Sequence, residues 1–136
     1  PYDRVLVIKK SGVWSVQDAP DRLFVDKGML FCGFVDPERV YTLLYRDEKG
    51  NPCLKRFQID KFILKKGYDL VPPGGKPIKL TTERDQMVVV DYKPKPRVRV
   101  AQEEFEVDEF LVKGNRAKGV RLANREVKGG KFVAKE

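Results

Sequence analysis

The fold follows from one stretch of the chain, Val40-Tyr41-Thr42-Leu43-Leu44-Tyr45-Arg46-Asp47-Glu48-Lys49-Gly50-Asn51-Pro52-Cys53-Leu54-Lys55-Arg56-Phe57. Both of its ends are rich in the aliphatic and aromatic residues that favour β-strands. Between the ends, Asp47, Gly50 and Pro52 are residue types that favour a turn. The stretch therefore predicts a β-hairpin whose second strand carries a Lys-Arg pair.

Two further hairpins are predicted, one on each side of the first. Arg4–Lys9 and Val13–Val16 are β-prone runs joined by the short segment Lys10-Ser11-Gly12. Met87–Tyr92 and Val98–Val100 are joined by a segment with two prolines, which requires an irregular loop because proline cannot donate a hydrogen bond to a sheet. The pattern is typical of a mostly β protein.

The three hairpins indicate internal repeats. Their first strands begin at Val5, Val40 and Met87, which are 35 and 47 residues apart. These spacings bracket the roughly 40–50-residue unit of propeller blades. Further strand character follows each hairpin, at 28–35, 68–71, 78–81, 104–107 and 119–122. Two segments, 60–64 and 107–111, can each form one helical turn but are too short to stand alone.

We therefore expect an all-β fold of propeller-like blades, about three in number, in a ring that is incomplete, swapped with another chain or truncated. The repeats are placed at residues 3–38, 39–84 and 85–127. The remaining residues, 128–136, could finish a strand or form a flexible C-terminal tail, and Gly129-Gly130 favour the tail.

The chain is strongly basic. Its 136 residues include 28 Lys and Arg against 20 Asp and Glu, for a net charge of +8 and a pI near 9.5. This balance favours polyanionic partners, nucleic acid first among them. The length suffices for a hydrophobic core but not for a multidomain enzyme.

The composition excludes several kinds of site. The chain has no histidine, which removes His-based zinc sites and Ser-His-Asp or Cys-His nucleophiles. Cys32 and Cys53 belong to no Cys-x-x-Cys motif, so two reduced thiols near the core are favoured over a redox pair or a metal ribbon. No run approaches the length of a membrane span and no signal segment opens the sequence. We expect a cytoplasmic chain with no membrane partner and no cofactor.

The C-terminal third of the chain is the richest in Lys and Arg. Leu111–Leu122 interleaves Lys and Arg with two glycines and an alanine, so the backbone can approach a flat anionic surface while the long side chains reach phosphates. The alternative is a solvated charged face, the usual role of charge runs. The net charge and the lack of rival chemistry favour phosphate contact.

Two other groups of side chains are candidates for binding. Tyr41, Tyr45, Phe57 and Tyr92 could stack on bases. They alternate with aliphatic residues inside strand runs, which favours core positions instead. The acidic cluster at 103–109 could hold a hard cation, but an exposed acidic edge or a counter-patch for the nearby cations is favoured.

These residues resemble a known family. The pattern of Val40–Tyr45, a turn and Leu54-Lys55-Arg56-Phe57-Gln58 resembles the repeats in the C-terminal domain of bacterial type II topoisomerase A subunits. Val112–Leu122 is similar to the segment between blades in that domain. The spacing of Phe31 through Tyr45, with Asp36-Pro37-Glu38 between them, is most similar to topoisomerase IV A subunits. The resemblance extends from Arg4 to about Val127 and rests on the combination of these features.

The resemblance implies a β-pinwheel of about five or six blades that binds duplex DNA along a basic rim and steers it toward the catalytic core. The family's catalytic tyrosine lies in another domain, so no catalytic residue is expected here. Implied partners are duplex DNA, the ATPase B subunit, and the remainder of the topoisomerase chain that carries this domain. The gyrase wrapping motif Gln-x-x-x-Gly-Gly-x-Gly is absent, which argues against chiral wrapping. The resemblance points to six DNA contacts, which are Lys55, Arg56, Lys113, Arg116, Lys118 and Arg121. We add the neighbouring cations Arg125 and Lys128 to the expected contacts.

The leading interpretation is thus a non-catalytic DNA-binding accessory domain that holds or bends a duplex for ATP-dependent strand passage. One alternative is a β-barrel RNA-binding or ribosome-associated module, which would expose aromatic side chains on one sheet face. Another is a protein-interaction propeller whose charge is incidental.

Overall fold

The computed structural model describes residues 4–18, 29–59, 66–83, 85–94, 96, 101–114 and 119–134. These residues form twelve strands and one turn of 3₁₀-helix, so the fold is all-β, as predicted. The strands are β1 (Arg4–Lys9), β2 (Val13–Asp18), β3 (Met29–Phe34), β4 (Tyr41–Arg46), β5 (Pro52–Gln58), β6 (Tyr68–Asp69), β7 (Lys76–Thr81), β8 (Gln86–Tyr92), β9 (Gln102–Glu106), β10 (Val112–Gly114), β11 (Val120–Arg121) and β12 (Val127–Ala134). The 3₁₀ turn is Val107–Glu109.

The first two predicted hairpins are confirmed, as β1–β2 and β4–β5. The turn between β4 and β5 is built around Asp47, whose Oδ1 accepts hydrogen bonds from the backbone N–H of Lys49 and of Asn51, each at 2.9 Å. Gly50 adopts φ +88°, a left-handed conformation that side chains disfavour. The turn chemistry read from the sequence therefore fixes this hairpin.

The first strand of the third predicted hairpin, β8, pairs with a strand other than the predicted one. β8 pairs antiparallel with β9, with Val88 opposite Phe105 and Val89 opposite Glu104. The predicted partner, 98–100, lies outside the described residues. The sequence did not identify β9 as the partner of β8 because β9 is rich in glutamate, a residue depleted in strands. Its first three residues are exposed, so that composition is tolerated.

The C-terminal residues also differ from the expected tail. β12 continues to Ala134 and pairs antiparallel with β8 over most of its length. The glycines that suggested flexibility lie inside this strand. Gly130 lies opposite Val90 and directly against the Leu44 side chain of the neighbouring sheet, where there is no room for a larger residue.

The twelve strands form three sheets with one shared plan. In each sheet a hairpin is joined by a third strand on the side of its first strand, in the orders β3-β1-β2, β7-β4-β5 and β12-β8-β9. The third strands lie side by side, since β3 contacts β7 and β7 contacts β12. We call these units sheets 1, 2 and 3. The described sheets do not close into a ring.

Strands from the following repeat complete the outer sides of sheets 1 and 2. β6, which precedes β7 in the second repeat, pairs with β2 of sheet 1. β10 and β11, which precede β12 in the third repeat, both pair with β5 of sheet 2, the first parallel and the second antiparallel. The second and third repeats are therefore each hydrogen-bonded to the sheet before them.

Two clusters of buried side chains join the sheets. The first spans sheets 1 and 2 and includes Trp14, which stacks on Tyr68 of β6 with ring centroids 4.5 Å apart. The second spans sheets 2 and 3 and brings Leu44 and Leu54 against Val88. Because both clusters cross sheet boundaries, burial of apolar surface holds neighbouring repeats together.

Gly130 provides a test of this packing. In Gly130→Ala the new methyl group would meet the Leu44 side chain and lie 2.9 Å from the Val89 carbonyl oxygen. Overpacking of this kind costs about 1–3 kcal/mol. We expect that loss in the free energy of unfolding, measured by urea denaturation. The adjacent Gly129→Ala is the control, because nothing lies within 4 Å of its added methyl group. Equal losses in the two variants would contradict the packing between sheets 2 and 3.

Candidate nucleic-acid interface

The outer side of sheet 2 brings together two of the predicted DNA contacts. β10 places Lys113 beside Phe57 of β5, and β11 places Arg121 beside Cys53 of the same strand. Lys113 is exposed, and the Arg121 side chain is 52 % exposed. Both cations are thus available to solvent on one edge of one sheet.

Arg121 is oriented by the β4–β5 turn. Its Nε lies 3.7 Å from Asp47 Oδ2, and its Nη1 donates to Asn124 Oδ1 at 3.1 Å. The Asp47 carboxylate is itself held in place by the hydrogen bonds that it accepts from two backbone N–H groups, so it gives Arg121 a fixed partner. An ion pair at an exposed arginine contributes little to stability, but this one limits where the guanidinium can point.

Arg56 has a different place from the one predicted. Its side chain is only 13 % exposed, Nη1 donates to the Phe110 carbonyl at 2.8 Å, and Nη2 lies 3.8 Å from Asp108. Asp108 and Phe110 belong to the segment that leads into β10. Arg56 therefore ties β5 to the segment that presents Lys113, and we treat it as a positioning residue.

Lys55 is buried, at 4 % exposure, although it was predicted as a phosphate contact. Its Nζ donates to the Leu70 carbonyl at 3.2 Å and lies 5.4 Å from the centre of the Phe57 ring. Burial lowers the pKa of its ammonium group to about 8, because the charged form is poorly solvated there. We leave Lys55 out of the proposed interface.

The remaining predicted contacts fall into two groups. Lys128 lies on β12 of sheet 3, and Arg125 lies in the bend just before that strand. Arg125 donates to the Lys93 carbonyl at 3.0 Å and lies over the Tyr92 ring at 4.7 Å, whereas Lys128 is exposed. Arg116 and Lys118 lie outside the described residues.

The aromatic candidates for base stacking are core residues, as the alternation in the sequence predicted. Tyr41 and Phe57 are fully buried and stack on each other with ring centroids 5.4 Å apart. Tyr45 and Tyr92 are almost fully buried, and burial raises the pKa of each phenol to about 12. None of these four rings is presented to solvent, so none of them is available for stacking on bases.

The sequence did not predict that Asp47 orients Arg121 or that Asp108 pairs with Arg56. A signal for Asp108 was present, because Phe105-Glu106-Val107-Asp108-Glu109-Phe110 repeats the pattern Phe57-Gln58-Ile59-Asp60-Lys61-Phe62. The repeat marks the point where each hairpin ends and its connection begins. No sequence signal paired Asp108 with Arg56, which lies 52 positions earlier.

An open cleft of about 710 Å³ lies between sheets 1 and 2, and its lining includes Lys55, Cys53, Leu70 and Val71. Its charged lining residues are Lys49, Lys55, Arg121, Asp47, Glu48 and Asp69. The formal charges in that set cancel. The cleft therefore lacks the excess positive charge that a phosphate site needs.

Neither a metal centre nor a membrane span is found in the part of the chain that the structure describes. No group of three or more Cys, Asp or Glu side chains there is arranged to hold a metal ion. No helix in that part is long and apolar enough to cross a bilayer.

The buried lysine predicts a specific pH dependence. The pKa of Lys55 is about 8 in the folded chain and about 10.5 when exposed, so the unfolded chain binds more protons between these pH values. The free energy of unfolding should therefore rise with pH across this window. Relative to Lys55→Met, the wild-type chain should gain about 2 kcal/mol between about pH 7 and 10, since one pKa unit corresponds to about 1.4 kcal/mol.

Urea titrations of both proteins at several pH values measure this difference. The exposed Lys113→Met is the control and should follow the wild-type pH dependence. If Lys55→Met does so as well, Lys55 is not buried as an ammonium group.

Comparison with known proteins identifies the family. The family model described as the topoisomerase C-terminal domain of Bacteroidota matches residues 1–131. The A subunit of DNA topoisomerase 4 from Borreliella burgdorferi is 26 % identical over 141 residues. That alignment covers 96 % of this chain and 21 % of the relative, so the chain spans about a fifth of the length of the curated relative it matches. No solved structure matches.

The family match covers nearly the whole of the described fold, including all three sheets and the β10–β11 segment on the outer side of sheet 2. The chain belongs to the bacterial topoisomerase C-terminal domain family.

Proposed function

We propose that this domain holds duplex DNA for a topoisomerase A subunit, through cations on the outer side of sheet 2 and without sequence preference. The observation that carries the proposal is the solvent-exposed basic edge formed by β10 and β11 in a chain of this family. A net charge of +8 supplies the attraction to the DNA backbone. This part of the proposal goes beyond family membership.

The proposed contacts are Lys113, Arg116, Lys118 and Arg121. Lys113 and Arg121 flank Arg116 and Lys118 in sequence, and both pair through their strands with β5. These four cations lie within nine positions of one connecting segment, where their charges can act on the same stretch of DNA backbone. Lys128 on sheet 3 is an additional exposed cation that a bent duplex could reach.

Arg56 supports this surface without reaching the DNA. Its hydrogen bond to the Phe110 carbonyl and its ion pair with Asp108 hold the start of the β10 segment against β5. The edge cations are therefore presented by a fixed main chain, which lowers the entropy lost on binding.

The catalytic work belongs, in this proposal, to the other parts of an ATP-dependent type II topoisomerase. The remainder of the A subunit would break and rejoin the duplex, and an ATPase B subunit would drive strand passage. The domain contributes affinity and can bend the duplex. This role places the protein in the cytoplasm with the nucleoid.

Salt dependence tests the electrostatic mechanism. If about five phosphates are engaged, the slope of log affinity against log salt should be near −4 to −5. Neutralising Lys113, Arg116, Lys118 and Arg121 to Gln should weaken binding about equally for all duplex sequences. Loss of four phosphate contacts should make the slope shallower by about 3.6. Fluorescence anisotropy with one labelled duplex at several salt concentrations measures both quantities.

The matched control neutralises four exposed lysines elsewhere, Lys9, Lys10, Lys76 and Lys79. This variant loses the same charge from β1, its following turn and β7. It should retain most of the affinity and of the salt slope. Equal losses in the two variants would mean that binding depends on net charge and not on the edge of sheet 2.

The isolated domain should neither cleave nor relax supercoiled DNA, with or without ATP and magnesium. Tyr41, Tyr45 and Tyr92 are buried and their phenol pKa values are raised, so none can readily form the phenolate nucleophile. Agarose gels of supercoiled plasmid, followed by a search for protein-linked DNA, provide the measurement. A covalent adduct at any of these tyrosines would overturn this assignment.

A further inference from the structure

Leu111 is the most exposed large apolar side chain among the residues that the structure describes, at 78 %. Phe34, at the end of β3, follows at 59 %, and Val112 on β10 and Val120 on β11 are 39 % and 43 % exposed. An apolar side chain gains free energy when a partner removes it from water. Three of these four residues lie on the segment that carries the proposed DNA contacts.

The main chain is held on both sides of Leu111. Before it, the Phe110 ring packs against the buried cluster that joins sheets 2 and 3, and the Phe110 carbonyl accepts a hydrogen bond from Arg56 Nη1 at 2.8 Å. After it, Val112 begins β10 and lies opposite Arg56 on β5. The Leu111 side chain therefore projects into solvent from a fixed base.

Leu111 lies on the same side of its segment as Lys113. Phe110 has an extended backbone, with φ −93° and ψ 138°, and β10 follows directly after Leu111. Residues two apart in an extended chain point to the same side. Lys113 is exposed as well. An apolar side chain and a cation are thus presented together.

Arg121 shares this side of sheet 2. Lys113 lies opposite Phe57 of β5, and Arg121 lies opposite Cys53 of the same strand. Phe57 and Cys53 face the same buried cluster, so the residues beside them share one side of the sheet. The two valines of the segment lie opposite the residues between these and point to the other side. Leu111 is therefore the apolar side chain next to both cations.

The charge of the segment suits an anionic partner. Residues 108–121 carry two carboxylates, Asp108 and Glu109, and four cations, which are Lys113, Arg116, Lys118 and Arg121. The excess of cations remains when the ion-pair partners Arg56 and Asp47 are included, because their charges cancel. Duplex DNA offers phosphates to such cations and, between its base pairs, apolar faces to the side chain beside them.

Proteins that bend DNA insert an apolar wedge between two base pairs and partly unstack them. The wedge is a side chain such as Leu, Met or Phe, and cations near it hold the phosphates. A fixed main chain, an exposed apolar side chain and adjacent cations are all present at Leu111. The faces of base pairs carry no code of hydrogen-bond donors and acceptors, so insertion agrees with binding that has no sequence preference.

We propose that Leu111 inserts between two adjacent base pairs of the bound duplex and kinks it there, while Lys113 and Arg121 contact the phosphates on either side. This inference rests on the proposed function and adds to it the side chain that bends the duplex. It also gives the exposure of Leu111 a physical reason, since the side chain leaves water when the duplex binds.

Two duplexes of one length test the insertion, one fully paired and one with a single mismatched pair at its centre. A mismatch lowers the cost of unstacking, so the chain should prefer the mismatched duplex about tenfold. Leu111→Ala should reduce the preference to about twofold or less, and Leu111→Met should retain it, because methionine also serves as a wedge. Fluorescence anisotropy at one salt concentration measures the two affinities of each variant.

Two control variants separate insertion from other effects. Phe34→Ala removes an exposed apolar side chain from sheet 1 and should keep the preference. Lys113→Gln should weaken binding to both duplexes by the same factor, because a phosphate contact does not depend on base pairing. If Leu111→Ala keeps the full preference, or if Phe34→Ala loses as much of it, the insertion is overturned.

Fluorescence of 2-aminopurine placed beside the mismatch reports unstacking directly, because this base brightens when its stacking is lost. At saturation the wild-type chain, Leu111→Met and Phe34→Ala should raise the signal, and Leu111→Ala should not. Tight binding by the wild-type chain without a rise would overturn the insertion and leave the proposed DNA-binding function standing. Failure to bind either duplex would overturn both. If Leu111→Ala matches the wild-type chain in both measurements, the exposed leucine serves a protein contact, and the insertion is again overturned.

Discussion

The structure depends on one constraint, which is that the outer strands of sheets 1 and 2 need main-chain partners. β2 and β5 obtain theirs from the repeat that follows, through β6 and through β10 with β11. An unpaired edge would leave a row of amide and carbonyl groups open to other chains. Because the partner comes from another repeat, hydrogen bonding and apolar packing both link neighbouring sheets. Among the described residues, sheets 1 and 2 are each completed by a strand from the repeat that follows.

The same constraint determines where the basic residues lie. The segment that completes sheet 2 also carries Lys113 and Arg121, so its main chain serves the fold while its long side chains point away from the core. Arg56 and Asp47 hold this segment at its two ends. The proposed interface therefore lies on a segment whose main chain completes the sheet of the preceding repeat. A cation on such a segment lies at the edge of the sheet, a position that a cation on a central strand cannot occupy.

Much of the fold could be predicted from the sequence. Apolar alternation and turn residues gave β1–β2 and β4–β5, because these hairpins join strands close in sequence and local propensity decides them. The pairing of β8 with β9 could not be found in this way, since four of the five residues of β9 are polar and apolar alternation does not give the partner or register of such a strand. The strands that cross between repeats were also missed as pairs, because pattern reasoning has no access to contacts between residues about 50 positions apart.

For the predicted site as well, part could be predicted from the sequence and part depended on the tertiary structure. The sequence by itself determined the net charge, the absence of histidine and the density of cations near the C-terminus, all of which are counts that folding does not change. Only the tertiary structure decided which cations are available. Lys55 and Arg56 are adjacent on β5, yet the first is buried beneath Leu70 and the second is tied to Phe110. Lys113 stays exposed because its strand lies at the edge of the sheet, where no described strand pairs outside it.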